Sequence, residues 1–136
     1  MPRVDCFLLV DSAQVANGKL FILGGGWARL TASHLPVSRT FETAIRVVVP
    51  WTETNRSHAL EIQLENEDGQ ALLETPVKAE IRVGRPAQLK DGTDQVVPLA
   101  LRVGPVTLER EGRYALIMRS EGEETARTAF DVVLGK

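Results

Sequence analysis

Residues 24–29, Gly24-Gly25-Gly26-Trp27-Ala28-Arg29, form the stretch of this chain whose side chains best suit recognition chemistry. Three glycines open the backbone to close approach. Trp and Arg are the side chains most enriched at the energetic centres of interfaces, because each joins a large contact area to a directional donor. Gly24, Gly25, Gly26, Trp27 and Arg29 are therefore candidate partner-binding residues, with Trp51 as a second, more structural aromatic. The plainer reading is that the glycines let strands cross and Trp27 fills the core. A phosphate cradle is a third use of exposed glycine amides, but it needs a helix N-terminus behind it, and Trp27 to Thr31 reads as resumed strand.

The remaining reactive groups are sparse. His34 and His58 lie far apart in sequence, so a two-His metal site would need an acid such as Asp5 or Glu42 brought in by the fold. Cys6 alternates with Val4, Leu8 and Val10 and reads as a small buried hydrophobe. No Gly-x-Ser-x-Gly elbow or Cys-His pairing supports nucleophilic catalysis. Asp11 followed by Ser12 suits a strand end, where both side chains bond nearby backbone N–H groups and fix a bend. The acidic run Glu121 to Glu124 reads as a solvated hairpin tip, with too few regularly spaced oxygens for calcium. The sequence thus calls for no catalytic residue, metal or cofactor.

These groups must be held by period-two structure. His58 to Glu65 alternates Leu60, Ile62 and Leu64 with Glu61, Gln63 and Glu65, the pattern of a half-buried strand. Val77, Ala79, Ile81 and Val83 repeat it, as do Val97, Leu99, Leu101 and Val103 around Pro98. Tyr114, Leu116 and Met118 lead through a turn at Ser120 to Glu124 into Ala126, Thr128, Phe130, Val132 and Leu134, a closing hairpin. Asn17-Gly18 is a strong hairpin signal, since a type I′ turn needs positive φ at both central residues; a strand from about Val4 should turn there into Lys19 to Leu23. Helix is limited to possible turns at Ser12 to Val15 and Leu35 to Arg39.

The 136 residues are 43% hydrophobic and carry a formal charge of −2, which fits one domain over residues 1–136 and supplies no basic field for nucleic acid or an anionic membrane. The acid at Asp5 and the short apolar run Cys6 to Val10 do not make a secretory leader, and a lone Cys suits a reducing cytoplasm. Short strands with frequent turns predict an all-β fold, a two-layer antiparallel β-sandwich of Greek-key or immunoglobulin-like type. Gly112-Arg113-Tyr114 entering a late strand resembles the tyrosine corner of such sandwiches, in which the phenol bonds backbone a few residues upstream. The C-terminal strand from Ala126 to Leu134 carries no proline and is expected to be an edge open to self-pairing, whereas Pro50, Pro76 and Pro98 protect other strands.

The N-terminal residues carry a family likeness. Asp11-Ser12-Ala13-Gln14-Val15, the turn, Gly18-Lys19-Leu20-Phe21-Ile22-Leu23-Gly24 and Trp27, followed later by Gly112-x-Tyr114 and a hairpin, resemble an uncharacterised bacterial domain family of unknown function. Three glycines and a Trp stand where one glycine followed closely by Phe is commoner. The resemblance implies a β-sandwich and bacterial origin, and no activity. Together these readings predict a non-catalytic module that binds another protein or its own copy. The alternatives are a small-ligand binder with a pocket at one end of the sandwich and, third, a hydrolase with a carboxylate and His site.

Overall fold

The computed structural model describes residues 1–135. Among them run nine strands: β1 (Arg3–Ala16), β2 (Lys19–Gly25), β3 (Arg29–Ala32), β4 (Val37–Val49), β5 (Ser57–Glu65), β6 (Val77–Arg82), β7 (Gln95–Leu108), β8 (Gly112–Ser120) and β9 (Glu123–Leu134). They form a four-stranded sheet in the order β2-β1-β4-β7 and a five-stranded sheet in the order β3-β9-β8-β5-β6, one of them curled into a half-barrel. The fold is all-β, as the alternation predicts. The expected helical turns are strand instead: Ser12 to Val15 lies within β1, and β4 begins at Val37. The apolar period of two continues through both places and outweighs their weak local helix signal. Among the described residues the one helical element is a 3-10 turn, Trp51–Glu53.

The core is one cluster that draws on both sheets: Phe7, Leu9, Ile45, Val47 and Val49 from the first, and Leu60, Ile62, Leu64, Leu116, Met118 and Phe130 from the second. On β5 and β8 the inward residues are those the alternation selects. On β1 they are not. The pairing with β4 slips between Val4 and Cys6, so Asp5 is an extra residue and the inward set becomes Phe7 and Leu9. Cys6 is accordingly only half-buried, contrary to expectation. Burial, followed by the charge of Asp5, still pushes its thiol above the ordinary value.

Turn chemistry fixes the hairpins. Asn17 and Gly18 have φ of 53° and 71°, and Ala16 pairs with Lys19 across them, the two-residue turn that joins β1 to β2. Glu121 and Gly122 do the same between β8 and β9. Two expectations fail at the sheet margins. β9 is an edge only as far as Phe130: its end, Asp131 to Leu134, is flanked by β3, which runs parallel to it. β3 therefore breaks an otherwise antiparallel pattern and removes the open face on which self-pairing through that part of β9 depended.

Candidate functional site

The segment 24–29 and Asp11 come together. Asp11, Gly24, Gly25, Gly26, Trp27, Arg29, Leu30 and Thr31 line a shallow depression of about 550 Å³ at the base of the β1–β2 hairpin. The hairpin explains the meeting. Val10 pairs with Gly25 and Ser12 with Leu23, which sets Asp11 against Gly24, and the Gly26 N–H donates to the Leu9 carbonyl at 2.8 Å. Gly24 has φ of 60°, a backbone conformation that favours glycine, and a Cβ there would push aside the Asp11 carboxylate. Asp11 and Arg29 are exposed, and neither joins an ion pair among the described residues.

Trp27 faces both ways. Its edge lines the depression, while its ring packs on Phe41 at 6.2 Å and edge-on to Phe130 at 5.8 Å between centroids. Phe130 in turn stacks with Tyr114 at 5.7 Å. Trp27 is thus a partly buried member of an aromatic cluster that bridges the sheets.

What composition and spacing missed lies next to this depression. Beyond Val10 the hairpin leaves the core, and its apolar side chains stand in the open: Val15 at 41% exposure, Phe21 at 53%, Ile22 at 37% and Leu23 at 71%. β2 has β1 on one side and no hydrogen-bonded strand on the other. In a two-residue hairpin the residues flanking the turn bond each other, so Lys19, Phe21 and Leu23 bond inward to β1, and the main-chain groups of Leu20, Ile22 and Gly24 point outward. The signal was the run Leu20-Phe21-Ile22-Leu23, whose lack of polar alternation denies it a wet face.

A second concavity, about 690 Å³, opens at another part of the surface between Asn66 to Val77 and Gly104 to Arg110. Gln63 shapes its rim: its amide accepts from the Leu73 N–H at 2.9 Å and donates to the Leu73 carbonyl at 3.2 Å. Tyr114 reaches its floor and donates its hydroxyl to the Arg110 carbonyl at 2.6 Å, the backbone bond expected of a tyrosine corner.

The histidines do not converge on an acid cluster. His34 sits in an exposed loop beside Ser33 Oγ at 3.2 Å. His58 is buried, with Nε2 2.8 Å from the Glu53 carbonyl and Nδ1 2.8 Å from Glu121 Oε1. A carbonyl only accepts, so Nε2 carries a proton, and the Nδ1 contact is a hydrogen bond only with a proton between ring and carboxylate. Both nitrogens are therefore engaged in tying the 3-10 turn and the β8–β9 turn to β5. Glu53 is buried, bonded to the Met1 ammonium and to Arg56 at 2.9 Å. The ammonium first, with Arg56 adding, holds its carboxyl below the ordinary 4.5. Trp51 opens this turn under the Arg85 guanidinium, 4.2 Å from its ring centroid. Among the described residues no group of three or more His, Cys, Asp or Glu is placed to hold a metal ion, and no helix is long and apolar enough to cross a membrane.

The chain belongs to a family of unknown function, DUF6941, whose sequence model matches residues 5–133. No curated protein matches it in sequence. Among solved structures it is similar to the Pseudomonas fluorescens alkylpurine DNA glycosylase AlkC bound to DNA containing an abasic site analog, with 8% identity and a TM-score of 0.46. That match covers 97% of this chain and 30% of the other, so the chain spans under a third of its length.

Proposed function

We propose that this member of the family is a non-catalytic interaction module, a Greek-key, immunoglobulin-like sandwich that binds a protein surface through the β1–β2 hairpin and the depression at its base. One observation carries the reading: Phe21, Ile22 and Leu23 are consecutive, large, apolar and exposed on an edge strand. Such a run costs solubility unless something covers it, and contiguous apolar surface of a few hundred Å² marks interaction sites. The depression adds a carboxylate at Asp11 and a guanidinium at Arg29, neither ion-paired among the described residues, the polar rim that an apolar contact needs for register. The sandwich reading is supported by the shared core of the two sheets and by the Tyr114 bond to Arg110. A formal charge of −2 favours protein over nucleic acid or membrane as the partner.

The test is a stability-matched comparison. Leu23→Asp changes a side chain that is 71% exposed, so folding should be untouched while capture of protein partners from a cell extract falls at least tenfold. Equal capture by both proteins would overturn the proposal. A second reading, a small-ligand binder, rests on the 690 Å³ cleft beside Tyr114, whose lining mixes Leu72, Leu73 and Val77 with Glu74, Glu109 and Arg110. A hydrolase reading gains nothing from His58, since both of its ring nitrogens are already bonded.

A further inference from the structure

Three dipeptides of this chain join Asn or Asp to a Gly of positive φ: Asn17-Gly18, Asp68-Gly69 and Asp91-Gly92. In such a pair the glycine nitrogen can attack the side-chain carbonyl carbon of the residue before it, because no Cβ shields the amide. The fold leaves one of the three open to that attack. Gly69 donates its N–H to the Asn66 carbonyl at 3.0 Å, which occupies the nitrogen. Asp91 offers a carboxylate, whose carbon is a far poorer electrophile than that of an amide. Asn17 is exposed, the Gly18 N–H has no main-chain acceptor among the described residues, and a Cβ on Gly18 would meet nothing within 4 Å. The other two asparagines differ: Asn55 precedes Arg56, and Asn66 precedes Glu67 and has its side-chain amide tied to Asp68 and Gln70. We infer that Asn17 is a site of spontaneous deamidation, a modification that alters the main chain at the tip of the β1–β2 hairpin.

Water is the one co-reactant. A base takes the Gly18 amide proton, the nitrogen bonds to Asn17 Cγ, and the Cγ–Nδ2 bond breaks to release ammonia, leaving a five-membered succinimide. Water then opens the ring at one of its two carbonyls. Attack at the side-chain carbonyl gives an aspartate; attack at the main-chain carbonyl gives an isoaspartyl linkage, with the chain running through Cγ. A type I′ turn keeps both residues left-handed, which points the Gly18 nitrogen away from Cγ, so the tip must open first. Opening is cheap here. The hairpin has left the core, Val15 and Phe21 beside the tip are exposed, and β2 has no hydrogen-bonded strand on its outer side.

The two products differ in consequence. The isoaspartyl linkage adds a carbon to the main chain of a two-residue turn, so Ala16 and Lys19 no longer meet squarely across it and β2 loses its register on β1. The aspartate keeps the turn, since Asp-Gly suits the same conformation, and adds only a negative charge. Modification therefore acts on the surface proposed above, while the chemistry itself does not depend on that surface binding anything.

Ageing the full chain at mildly alkaline pH and body temperature, with mass spectrometry of the tryptic peptide 4–19, tests this. Asn17 should exchange its side-chain NH2 for OH at least about tenfold faster than Asn55 or Asn66. Electron-transfer fragmentation should find the isoaspartyl linkage among the products. Asn17→Gly, which keeps a Gly-Gly turn, should abolish the change. An Asn17 that stays intact in the folded chain while the urea-unfolded chain deamidates there overturns the inference, as does earlier reaction at Asn55 or Asn66. The isoaspartyl form, separated by ion exchange, should lose the amide protection of Phe21 and Leu23 that Asn17→Asp retains. Protection that survives in the isoaspartyl form overturns the effect on register. Deamidation at Asn17 in a chain that captures no protein supports the modification site and refutes only the contact surface.

Discussion

Truncation of Trp27 separates its two faces. The ring contacts Phe41 and Phe130, and Phe130 has no exposed surface, so Trp27→Ala opens a void against the centre of the aromatic cluster. Removal of a fully buried Trp costs about 3–5 kcal/mol. Trp27 is partly exposed along the depression and loses less apolar burial, which brings the expectation to about 2–3 kcal/mol, including the two aromatic pairs at about 0.5–1.5 kcal/mol each. For a chain of this size each kcal/mol is about 3–5 °C in melting temperature, so a fall of roughly 6–15 °C is expected. Trp27→Phe should recover most of it by keeping a ring on Phe130. Calorimetry with a urea titration is the assay, and an unchanged m-value would show that the folded state keeps its extent. A loss under about 0.5 kcal/mol would refute the reasoning and make Trp27 an exposed anchor rather than part of the core.

Three further outcomes follow from the polar contacts. Tyr114→Phe keeps the stack on Phe130 but orphans the Arg110 carbonyl, and should cost about 1–2 kcal/mol in thermal or urea unfolding. His58→Leu removes the donor to the buried Glu53 carbonyl and the tie to Glu121, and should cost about 2–3 kcal/mol by the same measurement. Glu53 has its carboxyl lowered below 4.5 in the fold, so it binds fewer protons there than in the unfolded chain; its contribution is present above pH 4.5 and is lost as pH falls through the lowered folded value. The melting-temperature gap between wild type and Glu53→Gln should therefore be widest at neutral pH and close on acidification.

The strands were legible where one face is wet and the other buried. Leu60, Ile62 and Leu64, or Leu116 and Met118, show period two because each alternates between core and a polar or packed outer face. The turns at Asn17-Gly18 and Glu121-Gly122 were legible because positive φ leaves few residue choices. β1 was misread because a bulge is one residue long and shifts the inward set without altering composition. The position of β9 was illegible because β3 reaches it from about a hundred residues away in parallel, and no local signal encodes that pairing. In the candidate site, Gly24 to Arg29 and Asp11 were readable as residue types, and their meeting follows from the hairpin register. The exposed run Phe21 to Leu23 was read as an ordinary strand. Apolar residues in a strand imply burial on average, and only the departure of the hairpin from the core shows that these are not covered.

Residue-resolved amide hydrogen exchange across β2 tests the hairpin as a contact surface most directly. Phe21 and Leu23 bond inward to β1 and should be protected in dilute protein, while Leu20 and Ile22 point outward and should exchange freely. With a captured protein bound, the account predicts that Leu20 and Ile22 become protected while the β7 edge is unchanged. Exchange at Leu20 and Ile22 that stays equally fast under every condition, with protection arising elsewhere, would contradict it.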